Sequence, residues 1–181
     1  EVLDILSLDK DKEVIGFIDP KIKGSVNNAK VLGDDGILSG LIKKEKLAAV
    51  VAIADWKIRK KLFKKLKNLN YEMINVIHPH SYISKNAKIG EGVIIYGGVI
   101  VNTNVEIGNA VLLNSNASIG HDTKIESFVN INPNVSIGGK VKIKMGAYIG
   151  IGATVIQEVT IGENTIIGAG AAVIRDMPHN V

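Results

Sequence analysis

One histidine in this chain stands where it could move a proton in an acyl transfer. His121 is followed at once by Asp122, and eighteen residues later comes Gly139. An imidazole titrates near pH 6.5 and can take a proton from an incoming amine or hydroxyl. A carboxylate beside it can hold one tautomer and raise its basicity. A glycine facing the ring lets a thioester approach, and its N–H can stabilise a developing oxyanion. On position alone, an exposed corner histidine with no special role is the plainer reading.

The remaining side chains narrow the chemistry. The 181 residues include four histidines and no cysteine, which excludes a thiolate nucleophile, thiolate zinc ligation and disulfides. His78 and His80 flank Pro79, where a turn is a simpler role than a ligand pair, and His179 lies near the C-terminal end. A zinc enzyme would need several histidines converging on one ion, so no metal is expected. No apolar run approaches the roughly 18 residues needed to cross a bilayer. With no signal peptide evident in a chain that opens on Glu1, a cytoplasmic protein with no membrane partner is expected.

The net charge of +4 falls within residues 1–76. Most of the excess is Lys57, Arg59, Lys60, Lys61, Lys64, Lys65 and Lys67, which share a helical repeat with Ile58, Leu62, Phe63, Leu66 and Leu69. An amphipathic helix with a solvated basic face is expected there. No aromatic residues interleave those lysines for base stacking, which argues against a nucleic-acid partner.

What must position His121 is a repeat. Every sixth residue from Ile77 to Val173 is Ile, Leu or Val without a break. Four positions after each comes a small or modest side chain, such as Ala87, Val93, Ala117, Thr123, Ala147 or Ala171. A period of six fits neither a helix nor a simple strand; it fits a solenoid whose coils have flat faces and inward aliphatic residues. Three hexads per turn give five to six coils, stacked about 4.8 Å apart into a prism roughly 27 Å tall. Gly90, Gly108, Gly120, Gly138, Gly150, Gly162 and Gly168 follow inward residues, and several neighbouring turn positions are Asn, so Gly and Asn are expected to take the sharp corner angles. His121, two residues past the inward Ile119, should point outward at a corner with Gly139 one coil above, about 5 Å along the axis. Flat, uninterrupted faces should pack on copies of themselves in a symmetric trimer.

Residues 1–76 read as alternating short helices and strands. A helix tail is expected at residues 2–6 and a strand at residues 13–18 that stops at Asp19-Pro20. A short helix over residues 37–46 and a buried strand over residues 47–54 follow. Asp55 would cap the basic helix, and residues 72–77 would form a further strand. That order predicts one small parallel sheet of the nucleotide-binding type, whose usual first strand and glycine-rich phosphate loop would lie upstream of Glu1. The expected fold is thus a small α/β Rossmann-like domain over residues 1–76 followed by a parallel β-helix over residues 77–181.

The hexads, together with Leu112-Leu113-Asn114-Ser115-Asn116-Ala117-Ser118-Ile119-Gly120-His121-Asp122, resemble the left-handed β-helix acyltransferases. More narrowly they resemble the family of sialic acid O-acetyltransferases and nucleotide-amino-sugar N-acetyltransferases. Gly16-Phe17-Ile18-Asp19 is similar to the end of the second strand in that family's sugar-binding domain, residues 50–61 to its next strand and helix, and residues 167–176 to its last coils. The resemblance implies a left-handed coil, a cytoplasmic homotrimer, acetyl-CoA as co-substrate, and active sites between neighbouring β-helices. It implies that His121 is the general base and that Asp122 raises its basicity. It places Gly139, Asn130, Ile151 and Ala169 toward coenzyme A, Asn114 near the acceptor, and Asp19, Pro20 and Ala54 where a sugar nucleotide would lie. The family's N-acetyltransferases often carry histidine where this chain has Asn130, while its O-acetyltransferases can carry asparagine. That tilts the acceptor toward a sialic-type hydroxyl.

Transfer would be direct, with both substrates bound together and no covalent enzyme intermediate. Two other readings compete. One is acetylation of a non-sugar small molecule, which leaves the N-terminal domain without a role. The other is a non-catalytic β-helix scaffold such as an ice-binding surface, which would favour a regular Thr ladder; the outward positions here mix Lys, Asn, Glu and Thr.

Overall fold

The computed structural model of the chain describes residues 1–43 and 47–181. From Val76 to Val173 the backbone winds into three-sided coils, each side a two-residue strand. Strands eighteen residues apart pair in parallel, Ile100 with Ser118 and Val101 with Ile119 for example, and build two sheets of six strands and one of five. The first face runs from Val76–Ile77 to Ile166–Ile167, the second from Tyr82–Ile83 to Ala172–Val173, and the third from Lys88–Ile89 to Thr160–Ile161. The inward hexad residues form the core: Ile95, Val101, Leu113, Ile119, Ile131, Ile143, Ile149 and Ile161 are buried, with Val99, Ala117, Val129 and Val141 filling the space between them. Ile77 begins its column with no coil beneath it and stays 39% exposed.

The corner angles fall to asparagine as expected, but not to the glycines that follow inward residues. Left-handed backbone angles fall three residues after the inward residue, at Asn104, Asn116, Asp122, Asn134, Lys140 and Asn164, with φ between 56° and 60°. The glycines directly after inward residues, Gly168 excepted, serve proximity instead. A Cβ on Gly108 would stand 2.6 Å from Ser127 N, and one on Gly138 2.5 Å from Gln157 N, both in the next coil. Coils stacked about 4.8 Å apart leave no room for a side chain where one backbone runs over another.

The N-terminal region consists of α1 (Val2–Ser7), β1 (Phe17–Ile18), β2 (Ser25–Val26), β3 (Ala29–Gly33), α2 (Leu38–Leu41), β4 (Ala48–Ala49), α3 (Trp56–Asn68) and β5 (Glu72–Met73). Among the described residues, the N-terminal strands do not join in a single parallel sheet. β1 lies parallel to β3, β3 lies antiparallel to β2, and β4 pairs separately with β5. The hairpin between β2 and β3 turns on Asn27 and Asn28, at φ 48° and 65°, a doubly left-handed turn that matches the twist of its strands. Of the helix expected over residues 37–46, only Leu38–Leu41 is helical, and residues 44–46 lie outside the described residues. The α3 helix starts as anticipated, the Asp55 carboxylate accepting from Lys57 N at 2.8 Å and Ile58 N at 3.0 Å.

Its basic face is not solvated throughout, because Arg59 is completely buried while Ile58 is 48% exposed. Arg59 Nε donates to Ala110 O (2.9 Å), Nη1 to Ile53 O (2.6 Å) and Ala54 O (2.9 Å), and Nη2 to Phe128 O (2.9 Å) and Asn130 Oδ1 (2.5 Å). All five guanidinium N–H groups are thereby spent, on acceptors from both regions. Desolvation with no carboxylate among those acceptors pulls its pKa down to about 10. Two apolar clusters complete the joint. Ile5 packs on Val76, Ile94 and Leu112 of the first face, and Phe63, Leu66, Tyr71 and Met73 pack around Ala110 and Phe128 at the corner between the third and first faces.

Candidate active site

His121 occupies the corner between the second and third faces, just past the strand Ser118–Ile119. Asp122 takes the left-handed angle of that corner, φ 59°, which turns its carboxylate back beside the ring. His121 Nδ1–H donates to Asp122 Oδ2 at 2.7 Å, and the other oxygen, Oδ1, accepts from Asn104 Nδ2 at 3.0 Å one coil below. The bond from His121, followed by that from Asn104, holds the Asp122 carboxyl below its ordinary range. With Asp122 ionised and bound at Nδ1, the neutral ring keeps Nε2 free as a base. That nitrogen faces Gly139, where a methyl group would stand 2.7 Å from Nε2 and 2.8 Å from Cε1. The His121 side chain is 57% exposed, so a substrate can reach it.

The peptide of Gly139 is held from three sides. Lys140 N donates to His121 O (2.8 Å), Glu158 N donates to Gly139 O (3.0 Å), and Thr123 Oγ1 donates to Gly138 O (3.0 Å). Thr123 is wholly buried, and its hydroxyl also accepts from Val141 N at 3.3 Å. Among the described residues, Gly139 N–H donates to no other group. A free base and an unused amide donor therefore flank one exposed edge, which is what acyl transfer through an oxyanion needs. Sequence reading passed over Asn104 and the hydroxyl of Thr123. The eighteen-residue step from Asp122 marks the first, and a hydroxyl at a small inward position held mostly by Val and Ala, as also at Thr165, marks the second.

The other residues singled out fall into separate groups. Asn130 and Ala54 meet, Asn130 Nδ2 donating to Ala54 O at 2.7 Å while its Oδ1 takes Arg59, and Asn130 is 5% exposed. Ile151 and Ala169 stack one coil apart on the corner between the first and second faces, with Ile151 54% exposed. Asn114 Nδ2 donates to Ile131 O at 3.3 Å, a coil-to-coil stitch repeated by Asn132 on Ile149 O at 2.7 Å. Asp19 Oδ1 accepts from Lys21 N (2.7 Å) and Ile22 N (3.1 Å), closing a turn around Pro20. Within one chain, only Asp122 and Gly139 of these residues stand against His121. A cavity of about 510 Å³ is lined by Lys61, Lys64, Lys65 and Asn68 with Asp35 and Gly36, away from His121. Among the described residues, no three His, Asp or Glu side chains gather as a metal site, and no helix is long and apolar enough to cross a membrane.

The family described as the PglD N-terminal domain matches residues 1–66, and the bacterial transferase hexapeptide family (six repeats) matches residues 140–175. Comparison with curated proteins found no match. Among solved structures, a His-to-Asn mutant of perosamine N-acetyltransferase from Caulobacter crescentus, in complex with CoA and GDP-perosamine, is 33% identical with a TM-score of 0.96, over 99% of this chain and 85% of that one. The acetyltransferase domain of PglB from Neisseria gonorrhoeae, in complex with acetyl coenzyme A, is 28% identical with a TM-score of 0.94, over 98% and 86% of the two chains. WeeI from Acinetobacter baumannii is 26% identical with a TM-score of 0.90, over 99% and 88%. One-third identity along nearly the whole chain, on the same domain order, places it: the chain belongs to the hexapeptide-repeat family of left-handed β-helix acetyltransferases that carry a PglD N-terminal domain.

Proposed function

We propose that this chain moves an acetyl group from acetyl-CoA to the amino group of a nucleotide-linked sugar, with His121 as general base. The observation that carries this reading is Nε2 of His121 against the bare Cα of Gly139, whose N–H is unused, at an exposed corner. The neutral amine attacks the thioester carbonyl carbon and His121 Nε2 takes its proton. Gly139 N–H donates to the oxygen as it becomes an oxyanion, and Asp122 stabilises the imidazolium. Collapse breaks the C–S bond, and the proton passes from His121 to the departing thiolate, leaving an amide and free coenzyme A. Solved relatives with CoA and GDP-perosamine or acetyl coenzyme A bound support both substrates. The sialic-type alternative drew on Asn130, whose amide is already committed to Arg59 and Ala54, so the amino sugar is the better reading.

The site is read as lying between copies in a cytoplasmic homotrimer. The separation of the candidate groups within one chain supports this, as does the contrast between faces. The second face presents Ser118, Ser136, Thr154 and Ala172 outward, whereas the third presents lysines and Glu106, paired along the axis as Lys88–Glu106–Lys124. Apposing second faces would carry the edge of Ile151 and Ala169 toward His121 of the next chain. Coenzyme A would run along that edge past Gly139. The acceptor would be bound by Asp19, Pro20 and Ala54 with Asn114 beside it.

The test is incubation with acetyl-CoA and a panel of nucleotide amino sugars, sialic-type sugars and non-sugar amines, with products read by mass spectrometry. Acetylation confined to nucleotide amino sugars is expected, and His121→Ala should lower turnover by about 10²–10⁴-fold. Near-normal turnover in that variant rejects the base. Product from non-sugar amines alone rejects the substrate class, and no product from any acceptor returns the chain to a scaffold.

A further inference from the structure

We propose that Asn104 is a positioning residue for the base, holding His121 in register through Asp122. The inference deepens the assignment of His121 as base and rests on it. Three side chains climb one corner of the prism: Asn104 Nδ2 donates to Asp122 Oδ1 (3.0 Å), and Asp122 Oδ2 accepts from His121 Nδ1 (2.7 Å). A carboxylate exposed at a corner would otherwise spin about its last bond and offer either oxygen to water. Anchoring one oxygen from the coil below leaves the other fixed against the imidazole, and with it the direction of Nε2. The main chains of the two corners are already tied, since Asp122 N donates to Thr103 O at 3.0 Å, so the side-chain bond fixes the carboxylate and not the corner.

The chemistry of the amide matters. It is a neutral donor, so it orients the carboxylate without removing the charge that must stabilise an imidazolium. The ladder continues downward only through neutral groups, Asn86 Nδ2 donating to Thr103 Oγ1 at 3.3 Å. Above, the charged groups that act on Asp122 are His121 and Lys140, and Lys140 is paired with Glu158 at 3.3 Å. Asn104 sits at φ 58°, an angle that Asn, Asp and Gly accept readily, so two informative substitutions keep the backbone.

The experiment compares Asn104→Gly and Asn104→Asp with wild type in the whole protein. Asn104→Gly deletes the donor and should lower kcat/KM for the acceptor about tenfold, the loss of one hydrogen bond to a charged group, with KM for acetyl-CoA unchanged. Asn104→Asp keeps the shape but sets a second carboxylate against the first. That favours the protonated ring, so the acid limb of kcat/KM should move to higher pH by about one unit. A purely structural asparagine would leave the acceptor term unchanged in Asn104→Gly and the ring in its wild-type tautomer. The imidazole nitrogen shifts of His121, followed by NMR, should show a more mixed tautomer in Asn104→Gly. Wild-type kcat/KM, acid limb and nitrogen shifts in both variants would overturn the proposal. A failure of the base assignment itself shows separately, as an active His121→Ala, and the nitrogen shifts still report whether Asn104 orients the ring.

Discussion

The prism and the N-terminal region are built from strands of the same length, two residues for the most part, yet one is regular throughout and the other is not. The difference lies in where each strand finds its partners. In the prism, partners stand eighteen residues before and after, and the inward column repeats with them, so each coil answers its hydrogen-bonding and packing needs by translation. In the N-terminal region, β1 and β4 have one partner each, and the core is completed with Ala110, Phe128, Ile94 and Leu112 borrowed from the prism. One region is self-sufficient, and the other is a guest on it. The proposed base belongs to the host, while Asp19, Pro20 and Ala54, proposed for the acceptor, belong to the guest.

The largest effect should come from breaking the joint. Arg59→Met removes five hydrogen bonds and leaves the carbonyls of Ile53, Ala110 and Phe128 and Asn130 Oδ1 without their donor in a buried site, while Ala54 O keeps Asn130. A cost of about 3–5 kcal/mol follows, since each buried acceptor left unpaired costs about 1–3 kcal/mol. Trp56 is the sole tryptophan and lies in α3 against Gly146, so its fluorescence reports the joint. In urea, that signal should change at lower concentration than in wild type, while the far-ultraviolet signal of the prism keeps its midpoint. A common shift of both would show that the two regions unfold as one and erase the distinction between host and guest.

The same contrast explains what was legible beforehand. Eighteen residues is a ruler in the prism, and it sufficed to set Gly139 over His121; it reaches Asn104 equally well. Arg59 could not be read that way. On a helix rich in lysine it looks like another solvated charge, and what buries it are acceptors 51 and 69 residues away in the chain. Phe128 was hidden for a related reason: a bulky residue at φ 65° is unexpected at a corner, and it is tolerated there because its ring packs edge-on to Phe63 at 5.7 Å. The strands expected over residues 13–18, 47–54 and 72–77 shrank to two-residue pieces because few neighbours extend them, which composition alone does not reveal.

A second break concerns chemistry on the host. Gly139→Ala puts a methyl group within 2.8 Å of two ring atoms of His121, and the ring, being a side chain, can swing aside. Gly139 carries no left-handed angle, so the backbone accepts alanine. The fold should survive with its melting temperature nearly unchanged, while kcat/KM falls about 10²-fold from a misplaced base. Stability and activity falling together would mean that this corner is part of the scaffold and not a site carried by it.

The smallest effects separate the two uses of glycine at the corners. Gly108 has ordinary angles but a Cβ there would meet Ser127 N at 2.6 Å, whereas Gly152 has φ 66° and open space around it. Gly108→Ala must push one coil off the next, and backbone cannot step aside as a side chain can, so about 2–3 kcal/mol is expected. Gly152→Ala meets no atom and costs only the left-handed angle, about 1 kcal/mol. Gly152→Asn should recover part of that, since asparagine tolerates the angle, as it does at Asn104, Asn116, Asn134 and Asn164. Urea midpoints of the three variants would rank them. If Gly152→Ala proved the costlier of the two alanine variants, the strain would lie in the angle rather than in the spacing of coils, and the prism's regularity would rest on its corners more than on its stacking.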